Sequence, residues 1–301
     1  MRIVFIFIDG LGLGENDLFI NPCANPEIKL FHFFITDSFP QKILFGGVVK
    51  PIDAQLGIPG LPQSATGQAT LFTGINAAQL LNTHLSGFPN KIIRELLEKH
   101  SIHIKLKNMG KRPAFINVYR PIFFEKGPEA LIRLLSVTSI ANWKADLTFF
   151  DFTHLHSEQA IYHDFTNVEL IKRGFAVPEF TAEKAGQILA RASQNYDFCL
   201  YEYFKTDWAG HAQNLNRAIQ LLVQLEQFIL TLLNNINLSE TLVILTSDHG
   251  NIEDLSQKTH TFNPVPLVAW GKHSEKLINK VESLIDVTPA IIEIITRKKV
   301  N

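Results

Sequence analysis

Short apolar runs, many rich in β-branched residues, alternate along this chain with stretches of helical spacing. They fall at 3–8, 114–118, 146–150, 197–203, 241–246 and 265–270. Runs with no polar alternation belong to strands buried on both faces, so the expected fold is α/β, a mainly parallel sheet with helices on both faces. The clearest helix is 212–233, where Leu215, Ala218, Leu222, Leu225, Ile229 and Leu232 recur on one face. Another is expected to open at Thr288-Pro289, with threonine as N-cap and proline at the first helical position. Weaker helical patterns lie at 91–99, 128–136 and 181–193.

A chain of 301 residues buries about three-quarters of its unfolded surface and needs no disulfide or metal staple to fold. Residues 82–185 have poorer strand signals and mix aromatic with polar residues. They read as an inserted cap, with 1–81 plus 186–301 as the core domain. The net charge of −1 offers no footprint for nucleic acid or an anionic membrane. The one basic cluster, Arg297-Lys298-Lys299, reads as a solvated helix end. Cys23 and Cys199 are too few and too far apart for a disulfide framework, and Cys199 reads as a small buried hydrophobe. The apolar N-terminus is too short for a membrane helix, and a cytoplasmic location is expected. The oligomeric state stays open.

Polar residues cluster where the apolar runs stop. Asp9 ends the first run, where ligand sites of open parallel sheets lie, although a turn aspartate before Gly10 reads equally well. Gly10-Leu11-Gly12-Leu13-Gly14 fails as a dinucleotide fingerprint, because Glu15 stands where the third glycine is needed and no helix follows. Ser64, in Pro62-Gln63-Ser64-Ala65-Thr66-Gly67, is expected where a loop enters a helix. Unpaired N–H groups there favour a phosphate or a developing alkoxide, while simple capping is the commoner role of such a serine. Asp207 and His211 are four residues apart, a spacing that brings both to one metal on a turn or helix, and equally a surface hydrogen bond. Asp248-His249 follows the run 241–246, and His260 precedes the run 265–270.

Each piece alone fits a solvated polar loop. Three Asp and three His gathered at strand ends make that reading poor for the whole set. Carboxylate and imidazole ligands hold Zn²⁺ or Mn²⁺ and leave positions open for substrate oxygens. Two such ions about 4 Å apart clamp the attacking and leaving oxygens of an in-line displacement.

Together these segments resemble the alkaline-phosphatase superfamily, and most closely its cofactor-independent phosphoglycerate mutase branch, over roughly 1–80 and 195–295. The most specific parts are Asp207-x-x-Gly-His211, Ser247-Asp248-His249-Gly250-Asn251 and His260-Thr-x-Asn-Pro-Val-Pro266, and Asp286-Val-Thr-Pro-Ala-Ile-Ile looks like the closing helix. The resemblance implies an alkaline-phosphatase-like core with a short cap and two divalent metal ions, Mn²⁺ or Zn²⁺. Asp207, His211 and His260 would hold one, and Asp9, Asp248 and His249 the other, with Ser64 bridging towards it. It further implies Ser64 as nucleophile, because it lies ten residues before Gly74. Thr66 is the fallback. A phosphoserine would form and then pass its phosphoryl group to water or a second hydroxyl.

The chain departs from the mutases in its middle, since only about 140 residues separate Ser64 from Asp207. That is too few for a mutase-sized inserted domain plus its return to the core. Of Arg94, Arg112, Arg120, Arg133 and Arg173, the pair Arg112 and Arg120 flanks a strand candidate and is the guess for phosphate contacts, against surface charge. His154, His156 and His163 are irregularly spaced and read as polar cap or loop residues. The expected activity is a two-metal phosphatase or phosphodiesterase acting on a small-molecule phosphoester. The alternatives are a phosphomutase for a small phosphorylated sugar or sugar acid and, in another class, a non-catalytic metal-binding protein.

Overall fold

The structure, a computed structural model, describes residues 1–296, so the Arg297-Lys298-Lys299 cluster lies outside the described residues. Its strands are β1 (Arg2–Ile8), β2 (Gln41–Ile43), β3 (Gly47–Ile52), β4 (Pro113–Phe115), β5 (Phe198–Tyr203), β6 (Thr241–Thr246) and β7 (Val265–Gly271). They form one sheet in the order β2-β3-β7-β6-β1-β5-β4. The strands β4, β5, β1 and β6 run parallel, and β7, β3 and β2 are each antiparallel to the preceding neighbour in the sheet.

The central strand shows why its apolar run has no polar alternation. Val4, Ile6 and Ile8 enter one apolar layer and Ile3, Phe5 and Phe7 the other, so both faces of β1 are core. The first layer is closed by α9 (Ala182–Ser193) and α11 (Leu215–Asn234), with Phe228, Ile229 and Leu232 inside it. The second is closed by α1 (Ser64–Thr73), α3 (Lys91–His100), α6 (Val137–Lys144) and α13 (Leu284–Thr296).

Several expectations are corrected. Residues 146–150 form no strand: Asp146 sits at φ 50°, and among the described residues the segment makes one isolated β-bridge, from Phe150 to Val118. The run 114–118 shortens to β4, beyond which Asn117 and Val118 make isolated bridges. Residues 128–136 are not one helix. Gly127 (φ 75°) kinks α5 (Pro121–Ala130), and a new helix starts only at Val137, capped by Ser136. Thr288 is no N-cap, because α13 begins at Leu284. The Asp286 carboxylate takes the N–H groups of Glu282 and Ser283, while Thr288 Oγ1 donates to the Leu71 carbonyl at 2.7 Å. The helix expected from 212 starts at 215, after Gln213 at φ 51° ends α10 (Lys205–Ala212). The strands β2 and β3 were not foreseen. The stretch 82–185 does not stand apart as a cap throughout, since it supplies β4 to the sheet and α3 and α6 to the core.

Candidate metal centre and active site

The topology brings the polar residues to one edge of the sheet. Asp9 directly follows β1, and Asp248 and His249 follow its parallel neighbour β6. The chain leaving β5 turns into α10, whose spacing places Asp207 and His211 one turn apart. His260 reaches the same edge from the opposite direction. Because β7 is antiparallel to β6, its beginning lies beside the end of β6. Ser64 arrives by the same logic, since β3 is antiparallel to β7 and ends opposite Val265 before a loop leads to α1.

Two clusters result. In the first, Asp207 Oδ2 lies 3.4 Å from His211 Nε2 and Asp207 Oδ1 lies 3.4 Å from His260 Nε2. In the second, His249 Nε2 lies 3.2 Å from Asp9 Oδ1 and 3.5 Å from Asp248 Oδ2. The two adjoin through the His249 and His260 rings, stacked with centroids 3.7 Å apart. His211 Nδ1 is 2.6 Å from the Lys258 carbonyl and His260 Nδ1 is 2.8 Å from the Pro62 carbonyl. A carbonyl only accepts, so in the neutral rings Nδ1 carries the proton and Nε2 presents its lone pair to the cluster, as metal-ligating histidines are held.

The donors fit divalent cations on electrostatic grounds. Asp9 is pushed well above the usual carboxylate range, first by burial and then by the Asp248 charge. Burial alone would lower His249, but Asp248 and Asp9 outweigh it and hold the imidazole at about 10. Burial alone would raise Asp207, but the facing His260, the His249 charge and the Asn251 hydrogen bond outweigh it and hold the carboxyl at about 2. Buried Asp9 Oδ1 makes no hydrogen bond of good geometry. Buried carboxylates without a permanent countercharge are costly, and a cation among them removes that cost. Each triad keeps its ligand atoms within 4.8 Å of one another.

Ser64 does not act as a cap. Gln63 occupies that position, and Ser64 Oγ instead lies 3.0 Å from His249 Nε2. The N–H groups of Ala65 and Thr66, expected to be free for an anion, are taken by the Leu85 carbonyl. Thr66 Oγ1 donates to the Gln63 carbonyl and accepts from the Leu85 N–H, and the residue is fully buried. Its hydroxyl is committed to the backbone, which sets the fallback nucleophile aside.

Residues not singled out from sequence hold the site in shape. Gln68 Nε2 donates to Asp248 at 2.9 Å and to Asp9 at 3.3 Å, and Asn251 Nδ2 donates to Asp207 at 2.6 Å. Buried Glu253 accepts from the N–H groups of Gly12 and Asn251 at 2.8 and 2.7 Å, and from Thr261 Oγ1 and Asn263. A Cβ on Gly12 or Gly250 would come within 2.3 or 2.2 Å of the Glu253 carboxylate. These glycines let the backbone close on Glu253, and their density was the signal available in the sequence.

Ser64 and Asp9 open onto a cavity of about 750 Å³, and Ser64, Gly87 and Asp207 also line a second of about 400 Å³ beside His211 and His260. Arg120 and Arg173 line the larger one. Arg112 does not. It precedes β4, so it lies at the opposite end of the strand, largely exposed and 4.0 Å from Asp197. His163 lines the larger cavity. It stacks on Phe204 at 4.2 Å, and burial together with Lys205, Arg120 and Arg173 lowers its pKa to about 3. His154 completes a capping box with Asp151 at the start of a short helix and belongs to neither triad.

Comparison with known proteins finds partial likenesses. Residues 166–299 match the model of the Metalloenzyme superfamily. The 2,3-bisphosphoglycerate-independent phosphoglycerate mutase of Ehrlichia canis is 30% identical over 131 residues, 40% of this chain and 26% of that protein. The enzyme of that description from Methanocaldococcus jannaschii is 25% identical over 195 residues, 65% of this chain and 44% of its own. The chain thus spans between about a quarter and under a half of the length of these relatives. Among solved structures, a cold-active alkaline phosphatase from Shewanella matches with a TM-score of 0.58 at 12% identity, covering 99% of this chain and 100% of that one. The alkaline phosphatase of the Antarctic bacterium TAB5 matches with 0.53 at 16%, covering 98% of each. These likenesses bear on the fold, a mixed α/β sheet of the alkaline-phosphatase kind. Among the described residues no helix is long and apolar enough to cross a membrane.

Proposed function

We propose that this chain, a metalloenzyme of the alkaline phosphatase superfamily, hydrolyses phosphomonoesters through Ser64. The observation that carries the reading is the position of Ser64 Oγ, 3.0 Å from His249 Nε2 between two carboxylate–imidazole triads. Asp207, His211 and His260 would hold one divalent ion and Asp9, Asp248 and His249 the other, with Mn²⁺ and Zn²⁺ both suited to the donors. When bound, such a pair supplies Lewis acidity and lowers the pKa of a hydroxyl beside it.

Ser64 Oγ, held at the head of α1, gives up its proton to solvent and forms a bond to phosphorus as the bond to the ester oxygen breaks, and the alcohol departs with a proton from solvent. Water then attacks the phosphoserine, the bond to Oγ breaks, and orthophosphate leaves with Ser64 restored. Gln68 keeps Asp9 and Asp248 oriented throughout. Arg120 and Arg173 offer cationic contacts to the incoming ester, and segments of the 116–173 stretch act as the cap over it.

Phosphate release from a panel of esters with added Mn²⁺ or Zn²⁺ tests this, alongside Ser64→Ala and His249→Ala. Both variants should lose release. Full activity in Ser64→Ala would remove the covalent step. The mutase names of the relatives favour a second reading, a phosphomutase, and an isomerised product without free phosphate would establish it instead.

A further inference from the structure

The larger cavity is poorly suited to a small sugar acid. Beyond Ser64 and Asp9 one wall is made by Tyr119, Ile122, Phe123, Leu131, Leu134 and Leu135, and the space is about 750 Å³. That is a volume typical of sites for drug-sized molecules. A three-carbon phosphate would leave most of this wall facing water, which is unfavourable for apolar surface. The wall is also pre-built. Phe123 lies 4.5 Å from both Tyr119 and Phe149, and the Tyr119 hydroxyl is tied to Ser139. At the rim, Ile122 is 40% exposed, Leu134 66% and Trp208 51%, a group of large apolar side chains left open around one mouth. The guanidinium groups gather by Tyr162 and His163, where both influence the titration of those rings.

We propose that the preferred substrate is a phosphomonoester of a bulky apolar alcohol, an aryl or extended alkyl group. Its phosphate lies at Ser64 and its organic part against the Tyr119–Leu135 wall. This rests on the phosphoryl-transfer reading for the phosphate end, while the apolar preference stands on the cavity alone.

The test compares methylphosphonate with octylphosphonate and naphthylmethylphosphonate by calorimetry on the metal-loaded full chain. Phosphate release from naphthyl phosphate and glycerol phosphate is measured beside it. The apolar phosphonates should bind about 100-fold more tightly than methylphosphonate. Leu134→Asp and Ile122→Asp, both at exposed positions where folding tolerates a charge, should each close that gap about 10-fold and leave methylphosphonate unchanged. Equal affinity for all three, or variants that shift methylphosphonate as much, overturns the proposal. An apolar preference without phosphate release from either ester keeps it and sinks the hydrolase reading.

Discussion

Asp9, Asp248 and His249 lie beneath the surface, while Asp207, His211 and His260 occupy a half-open ledge with the His211 side chain 45% exposed. The residue types are the same and the surroundings are not. In the buried triad, charges meet with little water between them, so Asp9 is driven up and His249 is held at about 10. On the ledge burial also pushes Asp207 up, but the facing His260, the His249 charge and the Asn251 hydrogen bond outweigh it and hold the carboxyl at about 2. The deeper set thus holds a proton in the metal-free protein, while Asp207 is ionised.

The contrast can be broken most sharply by substitution. Asp248→Asn removes a fully buried charge that faces His249 and should cost on the order of 10³-fold in phosphate release with metal in excess. His211→Asn, on the ledge, should cost roughly 10- to 100-fold under the same assay. Equal losses would mean that burial does not separate the triads.

Proton bookkeeping comes next. In the metal-free protein His249 is protonated at neutral pH, and a ligating imidazole must be neutral. Loading the buried triad should release a proton, so its affinity should rise from pH 6 to pH 9. On the ledge Asp207 is already ionised and gives up no proton on loading. Calorimetry in buffers of different ionisation enthalpy reads both, and pH-independent binding at both sites would contradict the assignment. The raised His249 pKa also carries a stability term for the metal-free fold. That term is fully present below the unfolded value near 6.5 and is lost as pH passes about 10.

The smallest effect concerns the frame. Glu253→Gln leaves the glycine-lined pocket filled but swaps an acceptor for a donor facing backbone N–H groups, and should cost about 1–3 kcal/mol in thermal or denaturant unfolding. Because Glu253 grips the loop holding Gly250 and Asn251, weaker metal binding should follow at both triads. An unchanged midpoint would show the loop to be held by other contacts.

Much of the gathering of the candidate ligands at one sheet edge was legible, because each is tethered to an apolar strand that names itself. Asp9 closes β1, and Asp248-His249 closes β6. The direction of β7 was not legible, since an apolar run reads the same both ways, and without it His260 looks like another strand-end residue. The cavity wall was harder still. Its segments turn at Gly127, Asp146, Glu158 and Phe165, all at positive φ, and three of these four are not glycine. Such turns follow from tertiary contacts that local propensity does not announce. Glu253 was signalled only by the glycines around it, because its partners are backbone N–H groups and side chains 8 and 10 residues further on.

The strip formed by Ser64, Gly87 and Asp207 borders two cavities at once. Under the proposed hydrolysis, an alcohol held on the apolar side would leave the side of His211 and His260 open to orthophosphate, so the two products would have no fixed order of departure.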